Sequence, residues 1–372
     1  MVRPVRFAVA VGAAVFLVGG AVALTEHRPL TFLVGDGPYY AATAVSLLHD
    51  GDLDLRNQLR GGIEVHGRQI ALGRDGAWYP KHPILMPVAA LPFLAAFGMD
   101  GLLLFNLVVL GAVAALMALL ARRHAGPAPA LAAVVLLFAG TFLRAYVYNL
   151  SPDLFATLFV LAAALCLFDR RDGLAGLCLG AAVAAKFLLV VLVPLYAAAA
   201  LAARGGRGGA RLAAGLMPAA AALLLSNALL FGSPWITSYD RGVGLEAGQE
   251  RLITHRSQFD GDPLRGLAGE IADPRHGILP TAPVVLLAIP GLILLRRRDR
   301  GEARFTVAAG LTLLLVLAPY RAWSASHYGN RFLMPAIGLL APATALACAQ
   351  LFALAARLAR RAPPPVATPA AP

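Results

Sequence analysis

Residues 173–203, GLAGLCLGAAVAAKFLLVVLVPLYAAAALAA, run for 31 positions with one charge, Lys186, near the middle. A helix crosses a bilayer in about 20 apolar residues, so this run is too long for one crossing. A lysine buried in lipid costs several kcal/mol unless it pairs, snorkels or meets water. Two short helices meeting near Lys186 at the outer face would place Arg204, Arg207 and Arg211 inside. A single long crossing would invert everything downstream and put the arginines at 296–304 outside, against the positive-inside rule. The run is therefore read as two helices.

The rest of the chain fits the same frame. Of its 372 residues, 59% are hydrophobic and 14% charged, which excludes a soluble globular domain, a disordered chain and a disulfide-stapled secreted domain. Further apolar runs lie at Phe7–Leu24, 102–121, 127–143, 154–168, 210–231, 279–295, 305–320 and 332–356, giving about ten transmembrane helices. The first run is read as a retained helix, although its flanks also suit a signal peptide. Residues 83–98 carry Pro83, Pro87 and Pro92 and are read as a helix lying in the outer interface. The expected fold class is thus an all-α polytopic membrane protein, a single domain over 1–361. Its long first outer loop, 25–82, carries juxtamembrane helices, and a second outer loop covers 232–278. The Pro/Ala-rich stretch 362–372 is expected to be a disordered cytoplasmic tail.

Charge supports this topology. The net charge of +12 divides into 17 basic and 4 acidic residues inside, against 15 basic and 16 acidic outside. Both termini are then cytoplasmic, and the basicity reports topology, not nucleic-acid binding. Cys166, Cys178 and Cys348 lie in apolar runs without metal-ligand spacing and read as core residues. No P-loop, zincin, nucleophile-elbow or dinucleotide signature has a supporting context, and RGGRGGAR at 204–211 reads as a cytoplasmic turn.

Polar groups with chemical potential gather on the outer side. In GDGPYY, 35–40, Asp36 either caps the following helix or holds a carboxylate at the membrane plane to take a proton from an acceptor hydroxyl. Tyr39 stands three residues further on. In DGAWYPKHP, 75–83, Tyr79, Lys81 and His82 suit either an interfacial anchor or a lipid-headgroup surface. Asp153 begins a span after the turn at 148–152, where capping is the competing account. Lys186 and Lys81 are the only lysines, and a phosphate partner would justify Lys186. In WSASHYGNR, 323–331, His327 and Arg331 suit a phosphate clamp or a sugar hydrogen bond.

Taken in order, these segments resemble the GT-C superfamily of membrane glycosyltransferases, nearest to the protein O-mannosyltransferases and the aminoarabinose transferases. The resemblance rests on GDGPYYAATAVSLLHDGDLDL, WYPKHPILMPVAALPFLAAFG, SPD at 151–153, the run around Lys186, FGSPW at 231–235 and GNRFLMPAIGLL at 329–340. It implies transfer of a sugar from a polyprenyl-phosphate carrier to a glycan, lipid or protein acceptor on the outer face. By resemblance, Asp36 is the general base or acceptor-orienting residue and Asp153 a second acid near the site. Lys186 meets the carrier phosphate, Arg331 assists, and Lys81 with His82 lines the first-loop pocket. Tyr39, Tyr79 and His327 complete the candidate substrate-binding set. No cofactor is assigned: metal dependence varies in the superfamily, and Asp36 lacks an adjacent acid, so a divalent metal stays optional. The partners expected are the carrier-linked sugar, its acceptor and membrane lipids. The high Arg/Lys ratio and Ala/Gly richness suggest a GC-rich bacterial genome, and the expected location is the inner (plasma) membrane. The competing functions are a transporter, which would place its polar groups near the midplane, and a non-catalytic lipid-binding relative.

Overall fold

The computed structural model describes residues 2–25, 35–60, 69–147, 150–246, 249–252, 258–326 and 328–361. Its elements in chain order begin with α1 (Val2–Thr25), α2 (Gly37–His49), α3 (Arg56–Arg60), β1 (Ile70–Leu72) and β2 (Trp78–Pro80). There follow α4 (Leu85–Arg122), α5 (Pro127–Ala139), α6 (Pro152–Phe168), α7 (Asp172–Ala185) and α8 (Val193–Phe231). The remainder comprises β3 (Gly242–Glu246), β4 (Gln249–Leu252), α9 (Pro263–Ala272), α10 (Ile278–Thr281), α11 (Val285–Arg298), α12 (Arg300–Leu317), α13 (Met334–Leu339) and α14 (Ala341–Arg361).

The fold is an all-helical membrane bundle with one small sheet at its edge. Four helical stretches are long and apolar enough to cross a membrane: Arg3–Thr25, Leu85–Arg122, Phe187–Phe231 and Ala341–Arg360. Pro127–Ala139, Pro152–Phe168 and Asp172–Ala185 are apolar but shorter. Two of the long stretches are broken at glycines of positive φ, Gly98 at 60° in α4 and Gly205 at 62° in α8, a conformation costly for residues with a Cβ. After Gly98 the chain folds back so tightly that Gly101 packs on the backbone of Phe93 and Leu94. This separates the proline-bearing segment from the span that follows, as the sequence suggests. After Gly205, Gly208 and Gly209 pack on Ala200 and Leu201, so the arginine-glycine segment forms a helical turn.

Small residues let the helices approach closely, which is how packing stabilises helix pairs in lipid. A Cβ on Gly12 of α1 would overlap the Gly111 carbonyl of α4, and one on Gly111 would overlap the Gly12 carbonyl. Gly176 and Gly180 of α7 sit likewise against Leu212 and Ala219 of α8.

The bundle has two charged ends. Asp153 opens α6 and Asp169 follows it, about 25 Å apart at the helical rise. At the Asp169 end, Arg123 pairs with Asp169 and Glu302, His124 Nε2 lies 2.9 Å from Glu302, and Arg204 pairs with Asp172. Among the described residues, every ion pair joins two members of the same predicted side.

The sequence reading expects only helices in the first outer loop. The structure adds a sheet of order β2-β1-β3-β4, antiparallel throughout, with Ile70 opposite both Pro80 and Val243. It joins the segment between α3 and α4 to the segment after α8. Ser238 Oγ donates to the Lys81 carbonyl at 2.7 Å, and Arg241 Nε donates to Leu72 O at 3.1 Å. β1 and β2, at three residues each, are too short to show a period-two pattern, which is why the sequence does not announce them.

Candidate active site

Five of the predicted side chains converge at the end of the bundle that carries this sheet. Asp36 occupies the N-cap position of α2, yet its side chain makes no cap hydrogen bond. Its Oδ2 instead lies 2.8 Å from Arg331 Nη1, and its Oδ1 lies 3.7 Å from His82 Nε2. Asp153 does not cap α6 either; Ser151 takes that role, accepting from Leu154 N. The freed Asp153 carboxylate pairs through Oδ1 with Lys186, and its Oδ2 lies 3.6 Å from Arg331 Nε. Capping therefore explains neither acid.

The backbone around each group accounts for its placement. Lys186 is an extended residue, φ −150° and ψ 105°, between α7 and the 3-10 turn Phe187–Leu192, so the helix break presents it at the bundle end. Arg331 opens the 3-10 turn Arg331–Leu333, capped by Asn330 Oδ1 accepting from Phe332 N. Just before it, Gly329 has φ 69° and lies so close to Phe142 that a Cβ would overlap the ring. Asn106 of α4 fixes the segment before Asp153: its Nδ2 donates to Tyr146 O at 2.9 Å and Val147 O at 3.1 Å.

Electrostatics follow from this crowding. Burial pushes the Asp36 carboxyl up, but its neighbours Arg331, His82 and Lys186, Arg331 foremost, together outweigh burial and hold it well below the usual carboxylate range. For His82 burial prevails over Asp36 and lowers its pKa to about 4, so the imidazole is neutral at pH 7. His82 Nε2 lies 2.5 Å from Gln69 Oε1. Lys186 Nζ and the Arg331 guanidinium both lie over the Phe332 ring, at 4.2 and 5.2 Å from its centroid. Aromatic rings line the His82 side: Tyr40 stacks on it at 5.4 Å, Tyr239 meets it edge-on at 6.3 Å, and Phe187 lies beside Tyr239. Burial keeps the Tyr40 and Tyr239 phenols above their ordinary pKa.

Other predicted residues lie outside this ionic cluster. Lys81 is half-buried and feels the charge of Asp36, but among the described residues it forms no ion pair. Tyr39 is buried with Leu55, Ile70 and Val243 between α2 and the sheet. The Tyr79 hydroxyl donates to Asp75 Oδ2 at 2.7 Å, and its ring meets Phe231. His327 and the stretch 362–372 lie outside the described residues. Among the described residues, no three His, Cys, Asp or Glu side chains converge to hold a metal ion.

Sequence reasoning missed Asn106, Tyr239, Phe332 and Glu270. The Glu270 side chain, on α9, is fully buried, and among the described residues neither carboxylate oxygen has a hydrogen-bond partner. Burial raises its pKa to about 8. Beside it, Gly266 rests on the Ala318 backbone and Gly269 on the Trp323 indole. Glu270 could have been flagged only by its helical spacing from the glycine at 266.

Comparison with known families gives one match. The profile described as Glycosyltransferase family 87 matches residues 82–319, nearly two thirds of the chain. That stretch includes His82, Asp153 and Lys186, while Asp36 and Arg331 lie outside it. No curated protein and no solved structure matches the chain.

Proposed function

The chain belongs to glycosyltransferase family 87, and on that premise we propose that it carries a GT-C-like fold of about ten crossings and takes its sugar from a polyprenyl-phosphate carrier. The acceptor is a hydroxyl presented at the outer face of a bacterial inner membrane. The observation that carries this reading is the meeting of Asp36, Arg331, Asp153 and Lys186, drawn from four distant segments, at the end of the bundle opposite the arginine-rich loops. By the positive-inside rule that end is the outer one, and both termini are cytoplasmic.

In this reading Lys186 and Arg331 receive the carrier phosphate, and Lys81 stands nearby as a further cation. The acceptor hydroxyl donates a hydrogen bond to Asp36. As its oxygen bonds to the anomeric carbon, the bond from that carbon to the phosphate oxygen breaks, and the electron pair leaves with the phosphate. The acceptor proton passes to Asp36. Fixed cations stabilise the charge that collects on the departing phosphate. A single displacement of this kind inverts the anomeric centre.

Arg331 links the two halves of the reaction. While it holds Asp36, that carboxylate is a weak base. A phosphate bound beside Arg331 shares its charge without displacing it, which relaxes this hold, and Asp36 becomes more basic when the donor is in place. Polar groups gathered at one end, with an aromatic wall suited to a sugar ring, favour transfer over transport through a midplane site.

The test is sugar transfer by the full-length protein in nanodiscs, supplied with radiolabelled polyprenyl-phosphate sugars and membrane extract as acceptor. Wild type should move label to acceptor, and Asp36→Asn should lose at least a thousandfold in rate while still unfolding cooperatively. Transfer by the Asn variant at the wild-type rate would overturn the reading.

A further inference from the structure

One feature of the ionic cluster has no role in the proton and phosphate chemistry above. Asp153 Oδ2 and Arg331 Nε are both buried, neither has a hydrogen-bond partner among the described residues, and they face one another 3.6 Å apart. That separation is too long for a hydrogen bond between them. A buried donor and a buried acceptor left unmade each carry a penalty, so such pairs call for an explanation.

Neither group is free to turn toward the other. The second oxygen of Asp153 is held by Lys186, and its backbone lies in the first turn of α6. Arg331 is held through Nη1 by Asp36 and rests over the Phe332 ring. The notch is thus pinned on both sides and offers one acceptor next to one donor. A phosphate oxygen only accepts; it would satisfy Nε and repel the carboxylate. An ammonium only donates, and would satisfy the carboxylate and repel the guanidinium. A hydroxyl does both at once, donating to Asp153 Oδ2 while accepting from Arg331 Nε–H.

We propose that the Asp153–Arg331 notch recognises a hydroxyl of the sugar being transferred, which makes Asp153 a specificity-determining residue and not a base. The assignment to that sugar rests on the function proposed above. Lys186 on one side is the phosphate contact and Asp36 on the other is the acceptor contact, and the group between leaving phosphate and incoming acceptor is the transferred ring.

The full chain in nanodiscs tests this with undecaprenyl phosphate alone and the same carrier bearing mannose, glucose or arabinose. A hydrogen bond to a charged group is a strong one, so the best glycosylated carrier should bind wild type about tenfold or more tighter than the bare carrier. In Asp153→Asn an amide N–H₂ can take the place of the acceptor oxygen, and the advantage should shrink to about twofold. The bare carrier should bind the variant at least as well, because Lys186 loses a competing carboxylate. Within the preferred sugar, one monodeoxy form should lose that tenfold in wild type and nothing further in Asp153→Asn.

Equal weakening of bare and glycosylated carriers in Asp153→Asn would overturn the proposal and leave Asp153 as a counterion of Lys186. Survival of the sugar advantage in the variant would overturn it too, placing the hydroxyl elsewhere or on the acceptor. If Asp153→Asn does not fold, the deoxy series on wild type decides, and losses all within threefold reject the notch. Failure of wild type to bind any carrier, bare or glycosylated, would instead reject the donor proposed above, and the notch assignment with it.

Discussion

Arg331 donates to Asp36 across 2.8 Å, and both side chains are largely withdrawn from solvent. Removing one partner of such a pair leaves the other charge buried and uncompensated. Arg331→Met should cost about 3–5 kcal/mol of stability, and the double variant Asp36→Asn/Arg331→Met should recover much of it. Thermal unfolding in one detergent reads both. A double variant no more stable than Arg331→Met would mean that the pair is not coupled.

Arg331→Lys keeps the charge but presents one compact ammonium in place of a planar fork, and cannot serve Asp36 and the Asp153 side together. We expect transfer to fall by about a hundredfold, the scale for losing one preorganised donor at developing charge. A rate within threefold of wild type would show that charge alone suffices there.

Gly329→Ala should displace Arg331 without touching it. Its positive φ and the Phe142 ring both oppose a Cβ, and strain of this kind costs about 1–3 kcal/mol. Transfer and melting temperature should both fall. Unchanged transfer in Gly329→Ala would separate the turn from the site.

Glu270 gives a pH signature of its own. An acid raised by burial to about 8 binds more protons folded than unfolded, so its contribution to stability falls as pH climbs from about 4.5 through 8. The wild-type melting temperature should drop between pH 6 and pH 8.5 relative to Glu270→Gln, which cannot ionise. Parallel curves for the two proteins would mean that Glu270 is not held neutral.

Asn106→Leu removes the amide that spans two carbonyls before α6, and each buried carbonyl left unmade costs about 1–3 kcal/mol. Stability should fall by at least about 2 kcal/mol. Transfer should fall with it, measured at a temperature where the variant stays folded, because the segment carrying Asp153 loses its anchor.

Much of this was legible in the chain itself, for physical reasons. Lys186 announces a helix break because lipid tolerates an isolated ammonium poorly, and the break is there. The prolines after Lys81 separate a short helix from the next span, and the chain bends at Gly98. Asp36, Asp153 and Arg331 stand out as charges bordering apolar runs, and they meet. What could not be read is pairing across distance. Nothing local in Ile70–Leu72 announces a strand, because its partner lies far along the chain at Gly242–Glu246. Asn106 looks like any polar residue within a span, and Tyr239 and Phe332 like any interfacial rings. Their roles exist only once distant segments are packed.

The sheet also sets an order of events during synthesis. β1 and β2 can pair as soon as both emerge, but the other edge of β1 waits for β3, about 170 residues later. At ribosomal rates of about 5–20 residues per second, that edge stays open for on the order of 10–30 s. An unpaired edge is a template for wrong partners. For that interval the nascent chain depends on whatever shields Ile70–Leu72, and slowing elongation between β2 and β3 should cost yield of inserted protein before it costs anything else.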